Sequence, residues 1–184
     1  MKKSDIRWAI RIVVTSVALA TVFTLLSTAA MEEAGYIVAF SVLFLLVVVG
    51  IWFDMIGVAV TAADETPFHS MAARRNPGAK EAIRLIKNAG RVANICNDVV
   101  GDITGIISGV AMAVLAARLV ADYDLPSLAI HLSISGLVVG VTIGGKALGK
   151  GVAIRSSTRI VYLTARVVYR INWLAAKLRG RRYP

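Results

Sequence analysis

Three aspartates stand within stretches of the sequence that are otherwise apolar enough to cross a membrane. Asp54 lies in the run 36–61, and Asp98 and Asp102 lie in the run 91–119. A carboxylate at such depth is costly unless a positive charge compensates it, so intramembrane acids usually mark a functional site. The nearest base within the spans is Lys146, which leaves a surplus of negative charge. A bound cation is the simplest compensation that the sequence predicts.

Amide side chains accompany these acids at helical spacing. Hard divalent cations such as Mg²⁺ bind carboxylate, amide and carbonyl oxygens. The candidate ligands are Asp54, Asn94, Asn97, Asp98 and Asp102. Asp54 and Asp98 each stand about 10 Å from the inner end of their span, at about 1.5 Å per residue, so we expect the carboxylates to meet at one depth. The alternatives are an ion pair with Lys146 or Arg91, or protonated acids that hydrogen bond across helices.

The composition predicts an all-α, polytopic membrane protein. Hydrophobic residues make up 57% of the 184, and the mean hydropathy is +0.71, which is more apolar than a soluble domain. The predicted elements of a single membrane domain, 1–184, are four spans at 6–30, 36–61, 91–121 and 127–150, a helical hairpin at 64–90 and an amphipathic helix at 157–178. A cleaved signal peptide is the alternative interpretation of the first span.

The distribution of charge predicts the topology. Twenty of the 21 basic residues fall on one side of the membrane if both termini are cytoplasmic, with Arg118 as the exception. The opposite loops, 31–34 and 121–124, carry acids. This is the positive-inside pattern, and it predicts a multi-pass protein of the cytoplasmic (inner) membrane with a cytoplasmic hairpin. Because the basic residues are arranged in this way, the net charge of +10 does not indicate nucleic-acid binding.

The C-terminal segment has the composition of a helix that lies in a membrane interface. Basic residues at spacings of four and seven share one face, and apolar residues such as Ile160 and Leu174 occupy the other side. The side chains predicted at the interface are Arg159, Arg166, Arg170, Trp173 and Lys177. Such a helix binds anionic lipid headgroups. The alternative is a soluble helix that packs on the hairpin.

Glycines recur on the same faces as the polar residues. Gly101, Gly105 and Gly109 follow the acids of the third span, and the fourth span repeats glycine every four residues from Gly136 to Gly144. Small residues at this spacing let membrane helices approach closely, so we expect the glycines to lie at contacts between helices.

The order of these elements resembles a known family. An apolar helix that ends near a polar break precedes the basic hairpin 76–91, a glycine-bearing helix, the motif Gly145-Lys146-Ala147-Leu148-Gly149-Lys150 and a basic amphipathic helix. This order, over about residues 36–178, resembles the membrane domain of the cyclin-M and CorB/CorC magnesium transporters. Lys146 stands where that family has Glu, Gly149 stands where it has Pro, and its cation-binding Ser falls near Ile56-Gly57. The resemblance implies magnesium as the ion and a homodimer, and no counterpart of the family's nucleotide-binding regulatory domains is expected.

Two functions remain open from the sequence. The first is binding and transport of a divalent cation such as Mg²⁺ across the cytoplasmic membrane. The alternative is a non-transporting membrane scaffold or partner subunit, whose ion site is closed by charge compensation from Lys146. No nucleophile–base pair, phosphate loop or metal-hydrolase motif occurs in the sequence, so we do not expect an enzyme.

Overall fold

Helix is the only regular secondary structure in the described part of the chain. The computed structural model describes residues 3–32, 35–124 and 126–178. The elements are α1 (Lys3–Glu32), α2 (Tyr36–Ala62), α3 (Thr66–Ala73), α4 (Ala79–Lys87), α5 (Ala89–Asn94), a π-helix (Ile95–Val100), α6 (Gly101–Tyr123), α7 (Ser127–Arg155) and α8 (Ser157–Leu178). The all-α prediction is therefore confirmed.

Three of the described helices are long and apolar enough to cross a membrane. They are Tyr36–Ala62, the continuous helix Ala89–Tyr123 and Ser127–Arg155. In α1 the described residues give a shorter apolar stretch, Ile12–Leu26, which is about 22 Å long at 1.5 Å per residue. The hydrocarbon core is about 30 Å thick, so the predicted first span, 6–30, stays a prediction, while a polytopic membrane protein is confirmed.

The helices differ from the predicted spans mainly at their ends. The helix α7 continues to Arg155, five residues beyond the predicted end of the fourth span, and the third span begins at Ala89 as part of one helix with α6. Some charges behind the topology prediction, including Lys2, Glu33 and Arg181, lie outside the described residues. The orientation in the membrane stays a prediction.

The chain divides into two compact units, and the first contains most of the apolar helices. It comprises Met1–Phe53 and Asp98–Lys146, and α1 packs against α6 within it. A buried apolar cluster joins α2 to α6 through Ala39, Leu43, Ala111 and Leu115. Beside this cluster the hydroxyl of Tyr36 donates a hydrogen bond to Asp122, so the start of α2 is tied to the end of α6.

The second unit contains the hairpin and the C-terminal helix. It comprises Asp54–Asn97 and Ala147–Pro184, and α4 packs against both α3 and α8. At the start of α3 the backbone N–H and hydroxyl of Thr66 donate to Asp64, at 3.1 and 3.0 Å, and lower the pKa of that carboxyl. Gly78 has a φ of +89° and lies so close to α8 that a Cβ there would approach the backbone N of Arg166 to 3.1 Å. Glycine is suited to this position for both reasons.

The helix α8 carries two sets of apolar side chains. Ile160, Val161 and Ala165 are buried, in the helix that packs on the hairpin. A second set, spaced by three or four residues along the helix, is exposed: Leu163, Val167, Ile171, Leu174 and Leu178. The amino-terminal half of α8 thus packs on the hairpin, as in the alternative interpretation, and a separate exposed apolar stripe remains along the helix.

Candidate cation site

Asp54 is a buried carboxylate in a membrane-spanning helix. Its exposed fraction is 6%, and its Oδ2 atom is buried without a hydrogen-bond partner among the described residues. A buried acceptor that lacks a partner costs about 1–3 kcal/mol, and a charged one costs more. The predicted functional acid of α2 is therefore packed inside the protein.

Asn97 supplies a second buried oxygen in the same unit. Its Oδ1 atom is also buried and has no hydrogen-bond partner among the described residues. The amide packs on Gly57 so closely that a Cβ on this glycine would overlap Oδ1 and approach Nδ2 to 3.0 Å. Gly57 follows Asp54 by three residues, which places both on one face of α2. The face of α2 that carries Asp54 is therefore the one that meets the Asn97 amide.

The backbone around Asn97 departs from α-helix. Residues Ile95–Val100 form a π-helix between α5 and α6. A π-helical turn inserts an extra residue into the i→i−4 ladder, and such turns occur frequently at functional sites. The turn contains Asn97 and Asp98, and the sequence offered no signal for it beyond the neighbouring polar residues.

The other three predicted ligands have different surroundings. Asn94, the last residue of α5, is half-buried in the second unit. Asp98 and Asp102 belong to the first unit and are exposed in the isolated chain. The five candidates are thus divided between the two units, and only Asp54 and Asn97 present buried oxygens without a partner.

Lys146 lies in the first unit and is half-buried. It lines a cavity of about 250 Å³ between α2, α6 and α7, together with residues such as Thr104 and Ser108. Among the described residues, no carboxylate forms an ion pair with Lys146. The ion pair with Lys146, which the sequence left open as an alternative to a bound cation, is therefore absent among the described residues.

The glycines of the spans fall into two groups. Gly50, Gly57 and Gly145 lie at tight contacts, since a Cβ on Gly50 would approach the Thr104 hydroxyl to 2.7 Å and one on Gly145 would overlap Ile51. Another group has open space where a Cβ would lie: Gly105, Gly109, Gly136, Gly140 and Gly144. The expectation that the glycines lie at contacts between helices is therefore met within the chain only by Gly50, Gly57 and Gly145.

A cation site in this protein has to combine different kinds of oxygen. Over residues 3–32, 35–124 and 126–178, no group of three or more His, Cys, Asp or Glu side chains is placed to hold a metal ion. Asp54 and Asn97 would contribute one carboxylate and one amide oxygen, which suits a hard cation that keeps part of its water shell. Sequence reasoning named both residues but not the contact of the Asn97 amide with Gly57.

The comparisons with known proteins give one match. A model described as the cyclin M transmembrane N-terminal domain matches residues 41–179, a stretch that contains Asp54, Asn97 and Lys146. Neither the curated proteins nor the solved structures give a match.

Proposed function

Because the chain belongs to the cyclin M transmembrane N-terminal domain family, which is associated with divalent cation transport, we propose that it binds a divalent cation within the membrane and transports it. Magnesium is our first choice of ion, because the motif order resembles magnesium transporters. Asp54 and Asn97 are the proposed primary ligands.

The observation that supports this proposal is the pair of buried oxygens in the second unit. Asp54 Oδ2 and Asn97 Oδ1 both lack a hydrogen-bond donor among the described residues. Buried polar atoms in proteins nearly always have a partner, and exceptions call for an explanation such as an ion. Within a membrane no bulk water can supply that partner. A dehydrated or partly dehydrated Mg²⁺ would satisfy both oxygens at once.

The remaining predicted ligands have supporting roles in this proposal. Asn94 precedes Asn97 by three residues and is half-buried in the same unit. Asp98 and Asp102 are exposed on the described chain, so no protein cavity encloses their carboxylates, whereas Asp54 is buried. We propose that they raise the local concentration of the ion, whereas Asp54 and Asn97 hold it.

The scaffold alternative depends on a specific ion pair. A site closed by charge compensation needs the ammonium of Lys146 beside a carboxylate, and no such pair is found among the described residues. Burial of an unpaired charge is costly, and Lys146 is only half-buried. The observation that would favour the scaffold is therefore missing from the described part of the chain.

Orientation and assembly form part of the same proposal. We propose that both termini and the hairpin face the cytoplasm, that the protein is a homodimer, and that α8 lies on anionic headgroups of the inner membrane. The exposed apolar stripe of α8 supports this position, and so do the contacts of Arg166 over Tyr162 at 5.9 Å and Lys177 over Trp173 at 5.2 Å. These contacts hold cationic groups beside aromatic rings, which favour the headgroup level.

Transport by reconstituted protein tests the proposal. Liposomes that contain the protein and a magnesium-sensitive dye should show uptake that Asn97→Leu abolishes, because leucine keeps the volume and removes the amide oxygen. Ser41→Ala, an exposed residue of the same span as Asp54 that only bonds its own backbone, is the matched control. Uptake by Asn97→Leu at the wild-type rate would refute the assignment of the site.

A further inference from the structure

The cavity that contains Lys146 has a chemistry opposite to that of the Asp54 oxygens. Lys146 is the only charged residue among the described residues that line it. Its ammonium has no ion pair with any described residue. Because an ammonium repels a cation and attracts an anion, this end of the cavity favours a ligand that carries negative charge.

The hydroxyls in the cavity do not compete with Lys146 as donors. Thr104 donates to the backbone oxygens of Val100 and Gly101 at 2.9 and 3.0 Å, and Ser108 donates to Thr104 at 2.7 Å. Thr142 likewise donates to Val138 at 2.7 Å. With these donors used by the helices themselves, the walls of the cavity behave as apolar surface.

The lining of the cavity follows two helices over several turns. Its lining extends from Gly101 to Met112 on α6 and from Val138 to Lys146 on α7, which corresponds to about 16 Å and about 12 Å at 1.5 Å per residue. One leaflet of the hydrocarbon core is about 15 Å thick, half of the full core. The cavity therefore matches one acyl chain in length.

The two ends of the cavity differ. Met112 and Val138 both pack against the buried apolar cluster and so mark one end of the lining, whereas Gly101 and Lys146 lie about 16 Å and about 12 Å further along α6 and α7. The end of the cavity at Met112 and Val138 is therefore apolar, and Lys146 is at the end away from it. Between them Gly105 and Gly109 leave open space, so small residues create the volume.

From these features we propose that the cavity binds one anionic phospholipid, with an acyl chain along α6 and α7 and the phosphate on Lys146. The exposed acids Asp98 and Asp102 do not line the cavity. Basic pockets between membrane helices are known to bind anionic headgroups. This lipid site shares no residue with the proposed cation ligands Asp54 and Asn97. A negative result for lipid binding would therefore not contradict the proposed transport.

Native mass spectrometry of the purified, delipidated protein tests the site, with phosphatidylglycerol as the probe. We expect one phosphatidylglycerol to bind more tightly than phosphatidylcholine. Lys146→Gln should weaken its binding about fivefold, the ratio that corresponds to the contribution of one basic residue near a membrane. Lys150→Gln is the matched control, because Lys150 is exposed one turn further along α7 and does not line the cavity.

A second pair of variants tests the acyl chain. Gly109→Leu should fill the cavity and remove the bound lipid, whereas Gly136→Leu, which also has open space but lies outside the lining, should leave it bound. The thermal midpoint of each variant without lipid shows whether it is folded. The proposal would be overturned if Lys146→Gln and Lys150→Gln weakened phosphatidylglycerol binding equally. It would also be overturned if the wild type bound phosphatidylcholine with equal affinity, or if Gly109→Leu still bound phosphatidylglycerol. Saturation by a free fatty acid or inorganic phosphate alone, without phosphatidylglycerol, would overturn it as well.

Discussion

Asp54 and Asp102 are both aspartates of apolar membrane-spanning helices, yet their surroundings differ. Asp54 is buried, and Gly57, one turn further along α2, is covered by the amide of Asn97. Asp102 is exposed on α6 and belongs to the other unit. The cost of charge in a membrane applies to both, but the protein itself surrounds Asp54, whereas Asp102 lies on its surface. The comparison shows that hydropathy identifies intramembrane acids, whereas only the packing distinguishes a buried acid from an exposed one.

The largest expected effect is the loss of the magnesium response when Asp54 is neutralised. In thermal unfolding of the detergent-solubilised protein, millimolar Mg²⁺ should raise the midpoint of the wild type, because a ligand that binds the folded state stabilises it. Asp54→Asn should abolish this rise, since the carboxylate supplies the charge that holds the ion.

Asp102→Asn provides the matched control for this comparison. It removes the same charge from an exposed position, so most of the magnesium response should remain. A response that disappears in Asp102→Asn and persists in Asp54→Asn would reverse the roles of the two acids.

The next effect concerns the contact between α2 and Asn97. A Cβ on Gly57 would overlap the amide, so Gly57→Ala should destabilise the protein by about 1–3 kcal/mol, as overpacking does. The midpoint should fall by about 2–4 °C for each kcal/mol in a protein of this size. Gly105→Ala has open space for its Cβ and should be neutral or slightly stabilising, because alanine favours helix over glycine. Equal midpoints for the two variants would show that Asn97 moves away without cost.

A smaller effect is expected from charge reversal at Lys146. Because no described carboxylate pairs with Lys146, Lys146→Glu should change the free energy of unfolding by less than about 1 kcal/mol, whereas loss of a buried pair costs about 3–5 kcal/mol. The variant should keep or strengthen the magnesium response, since it restores the charge that the related transporters carry. Denaturant unfolding with and without Mg²⁺ measures both quantities, and a loss of several kcal/mol without rescue by Mg²⁺ would favour the scaffold.

The smallest effect tests the exposed stripe of α8. With Cys96 replaced by serine, a fluorescent label on cysteine at Leu174 should be shielded from a water-soluble quencher in liposomes, since that side chain belongs to the stripe. Lys80 is exposed on the hairpin, so a label there should be quenched when the quencher is added on the side of the membrane that the hairpin faces. Equal quenching at the two positions would show that the stripe does not contact lipid.

The comparison between the two acids also shows how far the sequence could lead. The sequence led to all five candidate ligands, and two of them, Asp54 and Asn97, have unpaired buried oxygens. It could not identify the π-helix at Ile95–Val100, because one extra residue in a single helical turn does not visibly change the spacing of apolar residues. Nor could it separate the glycines at contacts from those that line open space, since both groups have the same spacing.

The sequence by itself determined the all-helical membrane architecture, because length and hydropathy decide whether a segment can satisfy its backbone within a bilayer. It also determined the family, through an order of elements rather than a single motif. Only the tertiary structure decided that Asp54 is buried, that Asn97 meets Gly57 and that Lys146 lines a cavity with no ion pair to any described residue. These properties depend on which helix faces meet, and residues distant along the chain determine that choice.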